Sequence, residues 1–372
     1  MSGNPAIGIG LVGCGGFGEF CLDAFRTVEG VRIAAVADVY TPAARRLAEK
    51  FGVPAFSTAD ELIACEAVGL VHVATPPSLH YEQVLAALKA GKHVLCEKPL
   101  ATRVEQADEM LAAAKAAGAI CPVNFVLRHN AVTDAVKAVL DSGAMGKVLA
   151  GRLTNCAGDS KLGPDHWFWD PALSGGIFIE HGVHFFDLYT HWLGAARVLD
   201  AHALLREDTT QEDRVMCTLG FESGAVAHHH HGFDQVLLMD RTDHRLVCEL
   251  GDVRVDGWIP LTLTIDALVN EETQAQLEAC CPGAAVEVLR TYAGQDCRPT
   301  GRGVERHVTK RVRLVHEPAP DKQTVYADSV RALLADQLAF LRDPSHTRRV
   351  TESNGRAALE LAQAATRLAH AD

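Results

Sequence analysis

The sequence predicts two folded domains: an α/β domain with a parallel sheet, followed by an α+β domain with an antiparallel sheet. Up to about residue 125, short apolar strands alternate with helices, which is typical of βαβ units. Beyond that point, stretches that alternate polar and apolar residues follow one another without intervening helices, which indicates antiparallel strands. We therefore expect domains at residues 1–125 and 126–372.

Elements of the first domain are predicted from strand composition, helix caps and glycine stops. Thr41 and Pro42 form a helix start, and Gly52, Gly91 and Gly118 each end a helical stretch. Six strands are predicted, at residues 7–12, 31–37, 54–57, 70–74, 93–96 and 120–125. Helices are predicted at residues 19–28, 43–51, 59–65, 78–90 and 102–117.

The second domain begins with a helix at residues 131–140 and a long strand at 147–156, and a helix at 179–193 follows the Gly175-Gly176 turn. Further strands are predicted at residues 197–205, 213–221, 225–231, 245–250, 261–268 and 306–315. Residues 271–304 are interpreted as an irregular insertion, and two helices at 323–341 and 351–369 close the chain.

Composition and charge narrow the class of protein. The 372 residues are 48% apolar and carry a formal net charge of −12, with basic residues scattered along the chain. This balance argues against binding to nucleic acid or to an anionic membrane surface. The N-terminal segment lacks the pattern of a signal peptide, and no apolar run is long enough to span a bilayer, so we expect a cytoplasmic protein.

The eleven cysteines are interpreted as reduced and mostly buried apolar residues. Their number is odd, no C-x-x-C occurs, and the adjacent Cys280 and Cys281 could not pair without strain. We therefore expect no structural zinc site built from cysteines.

A glycine-rich turn points to dinucleotide binding. Residues 13–18 fit G-x-G-x-x-G and stand between the first strand and the first helix, where small residues let the backbone approach a pyrophosphate. The predicted contacts in this loop are Gly13, Gly15, Gly16, Phe17 and Gly18. Asp38 ends the second strand twenty residues further on, where a carboxylate accepts hydrogen bonds from ribose hydroxyls. This arrangement favours NAD over NADP.

Two further motifs make the sequence similar to the Gfo/Idh/MocA oxidoreductases. Residues 74–80 (ATPPSLH) end the fourth strand, and residues 97–99 (EKP) end the fifth. The resemblance implies a Rossmann domain joined to a domain with a large, open, mostly antiparallel sheet, which often packs in homodimers or homotetramers. It also implies hydride transfer between NAD or NADP and a carbinol carbon of a sugar, sugar derivative or cyclitol.

The resemblance places several residues at the cofactor and the substrate. Lys98 matches the family's lysine, and His184 matches the histidine of the G-G-x-x-x-x-D-x-G-x-H segment, whereas Glu180 stands where the family usually has aspartate. Arg128 falls near the family's arginine after the sixth strand. Further cofactor contacts are expected at Thr75, Pro76, Pro77, His80, Glu97 and Lys98. For His80, a cap or packing role is equally compatible with the sequence.

The chemistry of alcohol oxidation fits these residue types. Hydride departure from a secondary alcohol needs a group that takes the hydroxyl proton and a neighbour that stabilises the developing alkoxide. We assign the role of proton acceptor to His184 and the role of stabilising cation to Lys98, and the reverse assignment stays open. Glu180 lies four residues before His184 on a predicted helix, so it can orient the imidazole or bind a substrate hydroxyl.

Histidine-rich segments raise the alternative of a metal. His166, His181, His184, Glu180 and the run 228–231 contain suitable ligand types, but successive residues on a strand point to opposite faces, so we assign no metal. His166 and Trp167 are instead assigned to substrate binding, since an aromatic ring can stack on a sugar.

Two other functions stay open at this point. The first is redox-neutral cleavage of a glycoside, in which tightly bound NAD oxidises the substrate transiently. The second is a non-catalytic NAD-dependent sensor that uses the same fold to bind a partner, although retention of Lys98 and His184 disfavours it.

Overall fold

The computed structural model describes residues 6–160, 162–319 and 321–371. The chain divides into two compact units. The first contains the residues up to His129 together with segments 164–187 and 326–366, and the second contains the remainder. Both segments that join the first unit lie beyond residue 125, in the part of the chain that the sequence assigns to the second domain. These two segments belong to the first unit because of tertiary contacts, which the order of elements along the chain does not reveal.

A five-stranded parallel sheet forms the centre of the first unit, with strand order β3-β2-β1-β4-β5. Its strands are β1 (Ile7–Val12), β2 (Val31–Ala37), β3 (Ala55–Phe56), β4 (Leu70–Val73) and β5 (His93–Cys96). The reversal of strand order between β1 and β4 opens a crevice at the carboxyl edge, where ligands bind in open α/β sheets.

Helices connect these strands, and α2 and α5 end at the predicted glycine stops, whereas α1 begins and ends three residues earlier than predicted. They are α1 (Gly16–Phe25), α2 (Thr41–Phe51), α3 (Ala59–Ile63), α4 (His80–Lys89) and α5 (Val104–Ala117). Gly52 and Gly118 adopt the left-handed conformation at the ends of α2 and α5. Thr58 and Glu61 form a capping box that starts α3.

The sixth parallel strand predicted at residues 120–125 is reduced to a single bridge between Cys96 and Val123. The segment still runs beside β5, because Val94 and Cys96 donate to the carbonyl oxygens of Ile120 and Pro122. Pro122 has no N–H group with which to continue the ladder, so a regular strand cannot form there.

The second unit contains a nine-stranded, mostly antiparallel sheet, which confirms the predicted fold class. The order is β13-β16-β12-β11-β10-β6-β9-β8-β7, and only the β6–β9 pair within it is parallel. The strands from β6 to β10 are Val148–Gly158, Ala196–Leu205, Glu212–Phe221, Val226–Gln235 and Arg241–Cys248. The remaining strands of this sheet are β11 (Gly251–Asp256), β12 (Thr262–Val269), β13 (Ala285–Thr291) and β16 (Lys310–His316).

Six further helices complete the described chain, and two very short strands pair as a separate hairpin. The helices are α6 (Ala131–Ser142), α7 (Pro171–Ser174), α8 (Val183–Leu193), α9 (Glu271–Cys280), α10 (Lys322–Arg342) and α11 (Glu352–Ala369). The hairpin consists of β14 (Thr300–Gly301) and β15 (Val304–Glu305). None of the helices in the described ranges is long and apolar enough to cross a membrane.

Two predictions for the second unit were wrong in detail. Residues 245–250 are not one strand, because Cys248 ends β10 and Gly251 begins β11, which pairs back on it. Residues 271–304 are not wholly irregular. Asn270 and Thr273 form a reciprocal capping box that starts α9, a signal that the sequence contains and that our interpretation missed.

The run of four histidines lies on β9, and its side chains alternate between the two faces as predicted. His229 and His231 are fully buried, while His228 is exposed and His230 is half-buried. All eleven cysteines fall within the described residues, and none of them forms a disulfide.

Candidate active site

A groove of about 490 Å³ lies at the carboxyl edge of the parallel sheet, and all of its lining residues belong to the first unit. Most of the predicted dinucleotide contacts line it: Gly13, Gly15, Gly16, Phe17, Gly18, Asp38, Thr75 and Pro76. The other lining residues are Val12, Ala37, Val39, Ala59, Ala74, Leu79, Gln83, His166 and Trp167.

The glycines of the loop serve different purposes. Gly13 has a φ of +98°, and a Cβ there would lie 2.4 Å from the carbonyl oxygen of Ala74. A Cβ on Gly18 would lie 2.4 Å from the carbonyl oxygen of Gly13, so this glycine allows α1 to pack closely against the loop. Side chains at Gly15 and Gly16 would meet open space, which leaves the backbone of the first turn of α1 accessible to an anion.

Asp38 closes one side of the groove. Its two carboxylate oxygens accept hydrogen bonds of 2.7 Å from the backbone N–H groups of Cys14 and Tyr40. These bonds fix the carboxylate while leaving lone pairs to accept from ribose hydroxyls. Arg46 in α2 pairs with Glu19 at 2.6 Å. The loop and the carboxylate therefore fit a dinucleotide.

His166 and Trp167 line the same groove as the glycine loop, although the sequence analysis assigned them to the substrate. Their rings lie 5.2 Å apart, and Nδ1 of His166 accepts a hydrogen bond from the backbone of Phe168. Both belong to segment 164–187, which returns to the first unit. This position brings an aromatic pair to the dinucleotide groove.

Four residues that were expected to contact the cofactor do not line this groove: Pro77, His80 and Glu97 are buried, and Lys98 is half-buried. The imidazole of His80 lies between two backbone carbonyl oxygens, at 2.8 Å from Thr75 and 2.7 Å from Pro99. It therefore links the loop after β4 to the loop after β5, which is the packing role that the sequence left open.

Lys98 and Glu180 meet in the first unit. The ammonium of Lys98 donates to the backbone carbonyl oxygen of Glu180 at 2.8 Å and pairs with the carboxylate of the same residue. Gly175 and Gly176, with φ values of +85° and +89°, turn the chain into the π-helical turn that carries Glu180. Such turns are frequent at functional sites because they change which way a side chain projects.

His184 lies one turn further on, in α8, and is 6% exposed. Burial lowers the pKa of His184 well below its usual value, and the charges of Lys98 and His181 act in the same direction. Burial also lowers the pKa of His181 to about 3, with Lys98 contributing. A neutral imidazole therefore lies within the field of the Lys98 ammonium.

Arg128 is engaged by the protein itself. Its Nε and Nη2 atoms donate to the two carboxylate oxygens of Asp187 at 2.7 and 2.8 Å, and the pair is almost fully buried. Burial raises the pKa of Asp187, an effect that Arg128 opposes. This bidentate pair ties the segment after residue 125 to the start of α8, and so to His184.

Two segments of the chain, which together make up more than half of it, match known family models. Residues 7–125 match an oxidoreductase family model described as an NAD-binding Rossmann fold, and residues 133–251 match the GFO/IDH/MocA C-terminal domain.

Relatives and solved structures agree with these matches. The chain is 36% identical over 183 residues to 1,5-anhydro-D-fructose reductase of Ensifer adhaerens, which covers 48% of this chain and 54% of that protein. It is 30% identical over 225 residues to myo-inositol 2-dehydrogenase of Thermotoga maritima, covering 59% and 66%. The matches thus span between about half and two thirds of these relatives.

A levoglucosan dehydrogenase solved with NADH and levoglucosan superposes with a TM-score of 0.78 at 20% identity, covering 98% of this chain and 97% of that one. At this identity the likeness concerns the fold. Together with the glycine loop, the Glu-Lys-Pro motif and the two family models, it leads to one conclusion: the chain belongs to the GFO/IDH/MocA oxidoreductase family and carries its NAD-binding Rossmann fold.

Proposed function

We propose that this protein is an NAD-dependent dehydrogenase or reductase that acts on a carbinol carbon of a sugar, a sugar derivative or a cyclitol. The observation that carries the proposal is the grouping of Lys98, Glu180 and His184 in the unit that contains the dinucleotide groove. A neutral imidazole can take the hydroxyl proton and a cation can stabilise the alkoxide, as alcohol oxidation requires, while the carboxylate positions the cation.

The groove residues would hold the cofactor. The glycine loop and the first turn of α1 would bind its pyrophosphate, and Asp38 would accept from the adenosine ribose. When bound, NAD supplies the nicotinamide that accepts or returns the hydride. Asp38 repels a 2′-phosphate, and Glu19 holds Arg46, so these side chains favour NAD over NADP.

Lys98 would stabilise the reacting oxygen. Two contacts with Glu180 leave one N–H donor of its ammonium for a substrate oxygen. A positive charge at that oxygen favours the alkoxide and lowers the pKa of the substrate hydroxyl. Glu180 keeps the lysine side chain in place and is the candidate partner for a neighbouring hydroxyl.

His184 would accept the hydroxyl proton during oxidation and return it during reduction. Its lowered pKa means that the ring is neutral at pH 7 and has a lone pair to offer. Because Lys98 is already committed as a donor to a carboxylate, this division of roles is preferred over the reverse.

Several relatives support the proposed substrate class. The matched proteins include a reductase of 1,5-anhydro-D-fructose, a dehydrogenase of myo-inositol and a dehydrogenase of D-glucosides, all of which act on polyhydroxylated compounds. This supports a ring that bears several hydroxyl groups as the substrate.

We also propose that the nine-stranded sheet carries subunit contacts in a homodimer or homotetramer. Its edge strand β7 exposes Leu199, Leu204 and Leu205 by 41 to 49%. Light scattering of the purified protein tests this, and a monomer at micromolar concentration would contradict it.

The activity test measures NADH by its absorbance with NAD or NADP and a panel of sugars, cyclitols and glycosides, and with NADH and their keto forms. K98M is assayed beside wild type, with the exposed K89M as the matched control. We expect one substrate class to reduce NAD, with activity lost in K98M and retained in K89M.

Two results would contradict the proposal. Cleavage of a glycoside without a change in NADH would favour the redox-neutral reaction. Tight NAD binding, measured by calorimetry, with no turnover of any compound in either direction would favour a sensor.

A further inference from the structure

Three buried polar side chains lie side by side in the core of the first unit. His72 belongs to β4, Glu97 directly follows β5, and Asn124 follows the bridge between Cys96 and Val123. Their exposed fractions are 0%, 7% and 1%. Glu97 is the chain neighbour of Lys98, so its protonation state bears on the candidate catalytic lysine.

The orientation of His72 fixes where its lone pair points. Nδ1 lies 3.2 Å from the carbonyl oxygen of Leu95, which can only accept, so Nδ1 carries the proton. In the neutral ring Nε2 then carries the lone pair, and this atom lies 3.4 Å from Oε1 of Glu97. Burial lowers the pKa of His72 to about 4, so the ring is neutral at pH 7.

A lone pair that faces an ionised carboxylate is repelled by it. The same contact becomes attractive when the carboxyl group carries a proton that points at Nε2. Burial favours this form, since it raises the pKa of Glu97 to about 7 against the effects of Asn124 and Lys98. The amide nitrogen of Asn124 donates to Oε1 at 2.7 Å, which a protonated carboxyl still accepts.

The other titratable groups around Glu97 supply one cation. Lys98 acts on it both through its charge and through its backbone N–H. Cys21 in α1, Cys96 in β5 and Tyr326 in α10 also face it, and burial raises the pKa of all three well above their usual values. They are therefore neutral at pH 7, and the Lys98 ammonium already pairs with Glu180.

A metal ion is the competing explanation for this cluster. Ligand atoms of Cys21, His72 and Glu97 lie within 4.8 Å of one another. However, the amide nitrogen of Asn124 lies 2.7 Å from Oε1 of Glu97 and 3.9 Å from Sγ of Cys21. An NH₂ group beside two of the three ligand atoms opposes a cation, so the arrangement favours a proton.

We propose that Glu97 is held as a neutral carboxylic acid whose proton faces Nε2 of His72, and that this neutral pair positions Lys98 to form its ion pair with Glu180. Ionisation of Glu97 places a second anion beside the Lys98 ammonium and competes with Glu180 for it. Glu97 is thus a positioning residue. Its part in the reaction rests on the proposed function, whereas its protonation state does not.

The first test is infrared spectroscopy of wild type and E97Q, with the exposed E105Q as the matched control. A protonated carboxylic acid has a C=O stretch separate from the carboxylate bands. We expect this band in wild type and E105Q, its loss as pH rises through about 7, and its absence from E97Q. A wild-type spectrum without the band at acidic pH would overturn the proposal.

The second test compares unfolding of wild type and E97Q by denaturant. An amide NH₂ group of glutamine at the position of Oε1 can donate to Nε2 of His72, as the protonated acid does, but it cannot also accept from Asn124, so E97Q serves as the variant that does not titrate. Because the folded pKa of about 7 exceeds the ordinary value of 4.5, wild type loses stability as pH rises between these values. Its folding constant relative to E97Q should fall by about 10²-fold from about pH 5 to about pH 8. An E97Q destabilised equally at every pH would mean that Glu97 is an anion.

Two further measurements complete the test. Metal analysis of the purified protein should find no stoichiometric transition metal, and one equivalent of zinc would overturn the proposal. With an active substrate, kcat of wild type should fall above about pH 7 through a limb that E97Q lacks. A limb that persists in E97Q would refute the positioning role. Loss of all turnover would contradict the proposed function and leave the infrared result to decide the protonation of Glu97.

Discussion

The ammonium nitrogen of Lys98 lies 2.8 Å from the backbone carbonyl oxygen of Glu180 and also contacts the carboxylate of that residue. Eighty-two residues separate the two positions in the chain, so the pair exists only because segment 164–187 returns to the first unit. A buried ion pair of this kind costs desolvation of both charges, and breaking it leaves one charge uncompensated. Its position beside a neutral imidazole fits the proposed catalytic role of Lys98.

Removing either member of the pair should reduce turnover. K98M loses the cation at the reacting oxygen, and we expect kcat to fall by about 10²- to 10⁴-fold, the range for a positioned catalytic group. E180Q keeps the shape but not the charge, so a smaller fall of about tenfold is expected. Steady-state kinetics measures both, and NAD affinity from calorimetry should change little in either variant. A K98M enzyme with wild-type kcat would exclude the assigned role.

The pH profile should carry the signature of His184. The neutral ring is the form that accepts a proton, and its pKa is lowered by burial first and by Lys98 and His181 after that. As pH falls through about 6.5 the ring therefore stays neutral, and kcat for oxidation should not drop there. We expect the acid limb of kcat well below pH 6.5, and H184N should abolish it along with most of the activity. A limb at the ordinary histidine value would argue against His184 as the acceptor.

How much of this site can be read from sequence depends on the distance along the chain. The glycine loop and Asp38 belong to one strand-helix-strand unit, so local pattern alone predicts their common groove. His166 and Trp167 lie more than a hundred residues away, and their place beside that loop follows from tertiary packing, which the pattern does not encode. The motif residues Glu97 and His80 were recognised, but their burial against His72 and Pro99 depends on neighbouring strands.

The same distinction applies to the fold. Asn270 and Thr273 form the capping box of helix α9. The prediction of an irregular segment rested instead on the nearby Cys-Pro-Gly and Arg-Pro-Thr-Gly sequences, which are typical of loops. The apolar composition of residues 120–125 predicts a sixth strand, but Pro122 lacks the N–H group that would continue the ladder, and only the Cys96–Val123 bridge forms.

Cofactor preference should change at Asp38. Its carboxylate is fixed by two 2.7 Å hydrogen bonds, and losing its bonds to ribose should lower kcat/KM for NAD by about 10- to 100-fold in D38S. The same change removes repulsion of a 2′-phosphate. Adding E19Q removes the negative charge that pairs with Arg46, so the double variant should have a higher kcat/KM for NADP than D38S. Initial rates with both cofactors test this, and an unchanged NAD to NADP ratio in D38S would refute the role of Asp38.

The aromatic pair at the groove should contribute to cofactor affinity. Trp167 lies beside His166 and lines the cavity that contains the glycine loop, so W167A should weaken NAD binding by about tenfold, the value of one aromatic contact. Calorimetry with NAD measures the change. The matched control is W258A, which removes a tryptophan of the second unit. If W167A bound NAD normally but raised KM for the sugar, the original assignment of Trp167 to the substrate would be restored.

Acid should destabilise the second unit through His244. This residue is 2% exposed, and its ring packs 5.8 Å from Tyr189 and 5.5 Å from Trp192. Burial lowers its pKa to about 3, whereas the unfolded chain binds a proton near the ordinary value of 6.5. The unfolded state therefore holds more protons below that value, and stability present at neutral pH is lost as pH falls from about 6.5 towards about 3. For this one histidine the loss between about pH 7 and about pH 5 amounts to about 2 kcal/mol.

Denaturant unfolding of wild type and H244F across this range measures the loss of stability. The phenylalanine variant cannot take up the proton, so its free energy of unfolding should fall less steeply with acid. Equal slopes for the two proteins would mean that His244 takes up its proton over the same pH range in the folded and the unfolded states.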